Sequence, residues 1–186
     1  MTDTREAIMA TGRKMVQTRG YNGLSFRELG KEVGIKSASI HYHFPTKGDL
    51  GAALARRYTE DGRVYMEGLR AGSDDPAVWM KGYTEVFRMA LVNDNRMCLC
   101  GIMAAEFDDL PPEVRAEVDA FTELNVQWLT DVLVVCRPEL SLDERKQQAL
   151  AIYAAVEGAQ LIARGRGDIG VFDQTIKAYH LAGLLP

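Results

Sequence analysis

The chain has 186 residues, of which 47% are hydrophobic and 26% are charged, so it is long enough for one or two domains with a buried core. Three cysteines in a chain of this length do not suggest a disulfide framework. No apolar run approaches the length that spans a bilayer, and the N-terminus lacks the apolar core of a signal peptide. We therefore expect a cytoplasmic protein that does not enter a membrane.

The charge of the chain is unevenly distributed. The formal net charge is −4, yet the first 47 residues hold eight Lys and Arg against four Asp and Glu. This segment therefore carries +4, and the remainder carries −8. A basic segment on an acidic body can orient a protein toward phosphate. Many solvated helical faces have a similar charge, so the asymmetry is informative only beside a DNA-binding motif.

Capping signals near the N-terminus predict two short helices around a tight turn. Ser25 can accept the first free amide protons of a helix, and Glu28 follows at the capping-box position. Gly34 stands where a helix end favours a residue that tolerates positive φ. Lys36 and Ser37 then open the next helix. This arrangement is typical of a helix-turn-helix, whose second helix can lie in the DNA major groove.

Helical spacing of apolar residues predicts an all-α fold of about nine helices, without any strand pattern or internal repeat. Thr46 and Ser141 are candidate N-caps, each with an acidic residue three positions later. Besides the two short helices, the predicted helices cover residues 3–19, 47–68, 76–93, 112–136, 141–164 and 171–184, with a short apolar helix that ends at Phe107.

The segment from Leu24 to Leu50 resembles the DNA-binding segment of the TetR family of bacterial repressors. The matching residues are Leu24-Ser25, Glu28-Leu29, Val33-Gly34-Ile35, Ser39 to Pro45, Lys47 and Leu50, and the most specific part is His43-Phe44 followed by Lys47. His41 is a departure, because many family members have Tyr there. The resemblance implies a helix-turn-helix DNA-binding domain at residues 1–46 and a helical effector-binding and dimerisation domain at residues 47–186.

The residues expected to contact double-stranded operator DNA lie on and around the second short helix. Serines can bond several base edges and alanine can touch a thymine methyl, whereas the aromatic residues of the later turn are expected to hold phosphates. Lys47 adds a positive charge to the positive end of the next helix. The alternative is a solvated polar helix. The predicted contacts are Arg27, Lys36, Ser37, Ala38, Ser39, His41, Tyr42, His43 and Lys47.

Aromatic and sulfur-containing residues are abundant in the middle of the chain. The resemblance implies a small-molecule cavity inside the body, and such a site requires apolar walls with a few polar groups. An apolar or aromatic effector would suit these walls, although each residue taken alone is more typical of a helical core. The predicted effector-binding residues are Tyr58, Tyr65, Met66, Trp79, Tyr83, Phe87, Met97, Cys100, Met103, Phe107, Phe121 and Trp128.

Two cysteines, Cys98 and Cys100, support an alternative trigger. Arg96 is close in sequence, and a nearby cation can lower the pKa of a thiol. Some family members with a similar segment sense electrophiles or oxidants through a cysteine, so a thiol-sensing regulator is one alternative. The other interpretation is that both cysteines are small core residues. Their spacing is poor for a metal site, and we expect neither a metal nor a cofactor.

An enzyme is the third hypothesis, because an aromatic cavity with Cys98, Cys100, Glu106 and Asp108 could host nucleophilic chemistry. The histidines of the chain lie at positions 41, 43 and 180 and suggest no Cys–His pair. No phosphate-binding glycine loop or zinc-hydrolase motif is present. We therefore expect a regulator rather than an enzyme.

Small residues on the penultimate helix predict a close helix–helix contact. In the family that the chain resembles, the last two helices of each subunit form a four-helix interface, and two-fold symmetry places two recognition helices on two half-sites. Packing within one chain is the alternative. The predicted interface residues are Tyr153, Ala154, Gly158, Leu161 and Ile162. The resemblance thus implies a homodimeric repressor that a small-molecule effector releases from its operator.

Overall fold

The computed structural model describes residues 4–186, which form nine α-helices and one 3₁₀ turn without any strand. The predicted all-α fold is therefore confirmed. Asp3, the predicted first residue of the first helix, lies outside the described residues. The helices are α1 Thr4–Arg19, α2 Phe26–Val33, α3 Ser37–His43, α4 Lys47–Gly72, α5 Pro76–Val92, α6 Leu99–Ala104, α7 Pro112–Cys136, α8 Leu142–Arg166 and α9 Ile169–Leu181, and the 3₁₀ turn is Phe107–Asp109.

Side-chain caps fix the starts of several helices as the sequence predicts. The Ser25 hydroxyl accepts a hydrogen bond from the Glu28 amide at 3.5 Å. Ser141 and Glu144 form a complete capping box at the start of α8. At the start of α4, the Thr46 hydroxyl accepts from the Asp49 amide at 3.0 Å, and the Asp49 carboxylate accepts from the Thr46 amide at 2.9 Å. These bonds satisfy amide groups that the helices themselves leave without partners.

Several helix ends differ from the sequence prediction by two to four residues. Helix α9 ends at Leu181 rather than at residue 184. Helix α4 continues past the exposed Gly68 to Gly72, because one glycine in a helix interior weakens the helix without breaking it. Helix α8 ends at Arg166, where Gly167 adopts a φ of 63°. Helix α9 begins at Ile169 rather than residue 171, since the Asp168 carboxylate caps it by accepting from the Gly170 amide at 2.8 Å.

The chain divides into two compact units. The first comprises the described part of Met1–Glu60 together with Cys98–Phe121, and the second comprises Asp61–Met97 and Thr122–Pro186. The core of the first unit includes the fully buried Ile8, Leu29 and Ile40. The functional boundary predicted between residues 46 and 47 stays a prediction, since compactness alone does not assign function.

The second unit is built around helix α8, which packs against both α5 and α9. Leu129, Ile152 and Phe172 are among its buried core residues. Buried polar groups are bonded inside this core: the Gln160 amide donates to the Phe87 carbonyl at 2.7 Å. Among residues 4–186, no helix has the length and apolar character needed to cross a membrane.

Candidate nucleic-acid interface and effector site

Helices α2 and α3 approach each other closely at a glycine. A Cβ atom on Gly30 would lie 2.8 Å from the Ile35 carbonyl oxygen, so a larger residue would push the turn away. Gly34 ends α2 with a φ of 78°, and its amide donates to the Gly30 carbonyl at 3.0 Å. Leu29 and Ile40 are fully buried beneath the pair. The local sequence therefore fixes the position of α3 relative to α2.

The nine predicted DNA contacts lie mostly on the surface. Tyr42 is 86% exposed, which is unusual for a large aromatic side chain. Ser37, His43 and Lys47 are half-buried. The remaining members of the set, Arg27, Lys36, Ala38, Ser39 and His41, are exposed. A surface of this kind offers hydroxyl, imidazole, phenol and cationic groups to a nucleic acid.

Bonds within the predicted DNA-binding domain at residues 1–46, called the head below, orient some of these nine side chains. His41 Nδ1 lies 3.1 Å from the Pro45 carbonyl oxygen, and the His41 ring meets the Phe26 ring edge-on with a centroid distance of 4.8 Å. The Ser37 hydroxyl donates to the Phe26 carbonyl at 3.5 Å. The imidazole that replaces the family's usual Tyr is therefore held against α2 by the head itself.

Lys47 begins α4 and already has partners within the first unit. Its ammonium group donates to the Asn22 carbonyl at 3.4 Å and lies 4.4 Å from the centre of the Tyr21 ring. Burial lowers the pKa of Lys47, while the nearby Glu106 and Asp109 carboxylates act in the opposite direction. A phosphate that binds Lys47 would exchange with these internal contacts.

Three of the predicted effector residues form one aromatic cluster in the second unit. The rings of Tyr83 and Trp128 are stacked at 5.3 Å with an interplanar angle of 15°, and the Phe87 ring lies 5.4 Å from Tyr83. The Trp128 indole donates to the Met66 carbonyl at 3.3 Å. Met66 and the three aromatic side chains are all buried. Polar atoms of these aromatic side chains are thus satisfied inside an apolar environment.

The other second-unit members of the predicted set are Tyr65, Trp79 and Met97. The Trp79 indole donates to the Ser73 carbonyl at 2.6 Å, and the Tyr65 hydroxyl donates to the Gly82 carbonyl at 3.2 Å. Tyr65 is 41% exposed, whereas Met97 is buried. Burial raises the pKa of Tyr65, with a smaller contribution from Glu85.

The remaining predicted effector residues belong to the first unit. The Tyr58 and Phe121 rings are 5.2 Å apart, and the Arg13 guanidinium lies 4.6 Å from the Tyr58 ring. Cys100 and Met103 are buried. Phe107 differs from the apolar wall residue that the sequence suggested, because it is 57% exposed and covered on one face by the Arg115 guanidinium at 4.2 Å.

Cys98 and Cys100 are buried and are not joined in a disulfide bond. The Cys98 sulfur caps α6 by accepting a hydrogen bond from the Gly101 amide at 3.4 Å. Arg96 is bonded to Asp94, with its guanidinium nitrogen 2.6 Å from the carboxylate. Within residues 4–186, no group of three or more His, Cys, Asp and Glu side chains has an arrangement that could hold a metal ion.

Four of the five predicted dimer residues lie along one side of α8. Leu161 is 55% exposed and Ile162 is 57% exposed, and Ala154 is also exposed. A Cβ atom on the half-buried Gly158 would meet no atom within 4 Å, so the space beside it is open. Tyr153, in contrast, is buried. The side of α8 thus presents small and apolar residues to solvent.

A solvent-open cavity of about 480 Å³ lies at the connection between α8 and α9, where the sequence predicted no site. Its lining combines a cation, a carboxylate and apolar groups, and it includes none of the predicted effector residues. The lining residues are Arg166, Asp168, Val171, Gln174, Thr175 and Ala178.

Sequence reasoning also missed two buried polar groups. Asn125 is 2% exposed and accepts a hydrogen bond from the Tyr83 hydroxyl at 3.1 Å. Gln160 is fully buried. Helical spacing could have indicated the burial of Asn125. It follows Phe121 by one turn and precedes Trp128 by three residues, so it is a polar residue at a core position.

Comparisons with known proteins agree with this arrangement. The sequence profile described as "Bacterial regulatory proteins, tetR family" matches residues 8–54. A TetR transcriptional regulator from Legionella pneumophila is 30% identical, with 96% of this chain and 98% of that chain covered and a TM-score of 0.86. A TetR-family transcriptional regulator from Agrobacterium tumefaciens is 28% identical, with 94% of each chain covered and a TM-score of 0.87.

A curated relative gives a similar result. The transcriptional repressor NemR of Escherichia coli is 28% identical over 168 residues, which cover 87% of this chain and 84% of the relative. A crystal structure described as the reduced form of NemR has a TM-score of 0.80 at 24% identity, with 99% of this chain and 98% of that chain covered.

Proposed function

The chain belongs to the TetR family of bacterial transcriptional regulators. We propose that it is a homodimeric repressor that a small-molecule effector releases from operator DNA. Its role as a DNA-binding regulator follows from the family. We propose in addition that the protein represses transcription, that a small molecule releases it, and that the individual residues named below contact DNA.

The arrangement of α2 and α3 is the observation that carries the proposal. Gly30 and Gly34 hold the two helices in a tight turn, and α3 presents an exposed row of polar side chains beyond it. Ser39 is the proposed reader of base edges, while Tyr42 and Lys47 are proposed phosphate contacts. Phosphate contacts fix the register of the protein on DNA, and base contacts supply sequence preference.

The exposed side of α8 supports a dimer with two-fold symmetry. Leu161 and Ile162 expose large apolar side chains, and Gly158 leaves room for a close approach by a second helix. A two-fold axis brings the same surface of each subunit together and presents two copies of α3 to two half-sites. The dimer is therefore the form in which sequence-specific binding is expected.

The buried aromatic cluster of Tyr83, Phe87 and Trp128 supports an apolar or aromatic effector. Asn125 supplies a hydrogen-bonding group beside Tyr83, as a specific site requires. Release from DNA requires that the effector bind the conformation with low DNA affinity more tightly than the DNA-bound conformation.

A thiol-triggered regulator is the second candidate, because the similar NemR protein has a structure described as its reduced form and this chain places Cys98 at the N-cap of α6. Serine at both Cys98 and Cys100 separates the two candidates. If oxidants still release the double variant from DNA, thiol sensing by Cys98 and Cys100 is excluded.

The direct test uses a labelled DNA fragment from immediately upstream of the gene, with an unrelated fragment of equal length as the control. Binding is measured at about 50 and 200 mM salt, over which phosphate contacts weaken affinity strongly. The proposal predicts preferential, salt-sensitive binding that declines when an effector is added. If the upstream fragment binds no better than the unrelated one, the same assay is applied to fragments that cover the whole genome. Equal binding to all of these fragments would contradict the proposal.

A further inference from the structure

Two carboxylates from the connection between α6 and α7 bind the loop that follows α1. The Glu106 carboxylate accepts hydrogen bonds from the backbone amides of Tyr21 and Asn22, the latter at 3.3 Å. The Asp109 carboxylate accepts from the Asn22 side-chain amide at 2.6 Å. Glu106, Asp109, Tyr21 and Asn22 all belong to the first unit, and they are called the acidic junction below.

Gly20 lets the loop lie directly on Glu106. Gly20 has a φ of 80°, and a Cβ atom there would lie 2.6 Å from both carboxylate oxygens of Glu106. Any other residue would therefore collide with the carboxylate or strain the backbone. The close approach shows that the contact depends on both the glycine and the carboxylate.

Lys47 enters the same junction from the start of α4. Its ammonium group donates to the backbone carbonyl of Asn22, the residue whose amide groups bind Glu106 and Asp109. The ring of Tyr21 lies 4.4 Å from the ammonium nitrogen. The Lys47 ammonium group thus contacts a carbonyl and an aromatic face directly. The Glu106 and Asp109 carboxylates act on it electrostatically, because they favour its charged form against the larger effect of burial on its pKa.

Negative charge beside a phosphate-binding cation weakens phosphate binding in two ways. The carboxylates attract the cation toward the protein, and they repel the incoming phosphate. We propose that Glu106 and Asp109 form a regulatory contact that opposes DNA binding by retaining Lys47 in the acidic junction. This inference rests on the proposed function, because it takes Lys47 to be a phosphate contact.

The contact also gives the α6–α7 connection a means of changing DNA affinity. Both carboxylates belong to this connection, whereas Tyr21, Asn22 and Lys47 belong to the head and the start of α4. A displacement of the connection away from the loop frees Lys47 for phosphate.

Replacement of Asp109 by asparagine tests the proposal. Asp109→Asn keeps the size of the side chain and an oxygen that can accept from Asn22, but it removes the negative charge. We expect about threefold tighter DNA binding by the dimer at low salt and a smaller gain at high salt, because salt screens exposed charges. In a Lys47→Ala background the same replacement should give no gain.

Asp119→Asn is the matched control, since Asp119 is an exposed residue of α7 and its replacement changes the net charge equally. It should leave DNA affinity unchanged. Three results would overturn the proposal: no gain or a loss of affinity with Asp109→Asn, a gain that persists in the Lys47→Ala background, or an equal gain with Asp119→Asn.

A second measurement needs no DNA and therefore separates this inference from the proposed function. Acetylation of lysine amines by an N-hydroxysuccinimide ester in the free protein is followed by mass spectrometry, with the exposed Lys31 as internal reference. Glu106→Gln and Asp109→Asn should each accelerate acetylation of Lys47 relative to Lys31, because the amine becomes more accessible and loses its proton more easily. An unchanged ratio would contradict retention of Lys47, whatever DNA the wild-type protein binds.

Discussion

Lys47 and Ser39 are proposed to make two different kinds of contact with DNA. Lys47 is a half-buried cation at the start of α4, where its charge adds to the positive end of the helix. Ser39 is exposed on α3 and carries no charge. The first kind of group contributes affinity for any DNA, and the second contributes preference for particular bases.

Lys47→Ala should weaken binding to operator and unrelated DNA by similar factors. Because two subunits each lose one phosphate contact, the slope of log affinity against log salt concentration should fall by about two for the dimer. Titrations at several salt concentrations measure this slope. Lys81→Ala, which removes an exposed cation of α5, is the control and should change neither affinity nor slope.

Ser39→Ala should instead alter the order of preference among operator variants by about 1 to 3 kcal/mol at one base pair in each half-site. Competition among single-base variants of the operator measures this change. A uniform loss of affinity, without any reordering, would show that Ser39 contacts backbone rather than bases.

At the scale of an element, the α2–α3 turn depends on the conformation of one glycine. Gly34 has a φ of 78°, a region that L-residues other than glycine enter at an energetic cost, and no atom would contact a Cβ there. Its effect on stability should therefore come from the backbone alone.

Gly34→Ala should lower the free energy of unfolding by about 1 to 2 kcal/mol, the cost of the left-handed conformation. Gly68→Ala is the matched control, because Gly68 lies inside α4 and a Cβ there also meets no atom. That control should raise the free energy of unfolding by about 0.5 to 1 kcal/mol. Denaturant titrations measure both, and equal effects of the same sign would contradict this explanation.

The sequence predicted those features that depend on residues close together in the chain. Ser141 and Glu144 are three residues apart and form the expected capping box, and Gly34 ends α2 as expected. The bond between Asn22 and Glu106 joins residues that are 84 positions apart. No local periodicity specifies such a pair, so the acidic junction could not be predicted.

In the candidate site, too, features set by neighbouring residues could be predicted, and features set by residues far apart in the chain could not. Exposure of the residues on α3 follows from their position in a short amphipathic helix beyond a recognisable turn. The bond between Tyr83 and Asn125 instead depends on the packing of α5 against α7, which a single sequence does not give. Phe107 shows the limit most clearly, since its aromatic character suggested a cavity wall and its position is at the surface.

At the scale of the whole molecule, the proposed function depends on dimerisation through α8. Leu161 and Ile162 present apolar surface on the same side of the helix as Ala154 and Gly158. Covering this surface with a second copy removes it from water, which stabilises the association.

Leu161→Asp should weaken dimerisation by at least about tenfold, because two-fold symmetry buries two unpaired carboxylates for each replacement. Val78→Asp is the control, since Val78 is 47% exposed on α5 and outside the proposed interface. Sedimentation velocity over a range of concentrations measures both dissociation constants. If the Leu161→Asp protein remains as dimeric as the Val78→Asp protein, the interface lies elsewhere.

In the proposed dimer, two copies of α3 read two DNA half-sites. This arrangement is tested by selecting bound sequences from a random DNA library with the wild-type dimer, because the result does not depend on where the operator lies. We expect enrichment of an inverted repeat, with equivalent positions in the two halves both sensitive to Ser39→Ala. Enrichment of no sequence, or of a single unrepeated site, would contradict it.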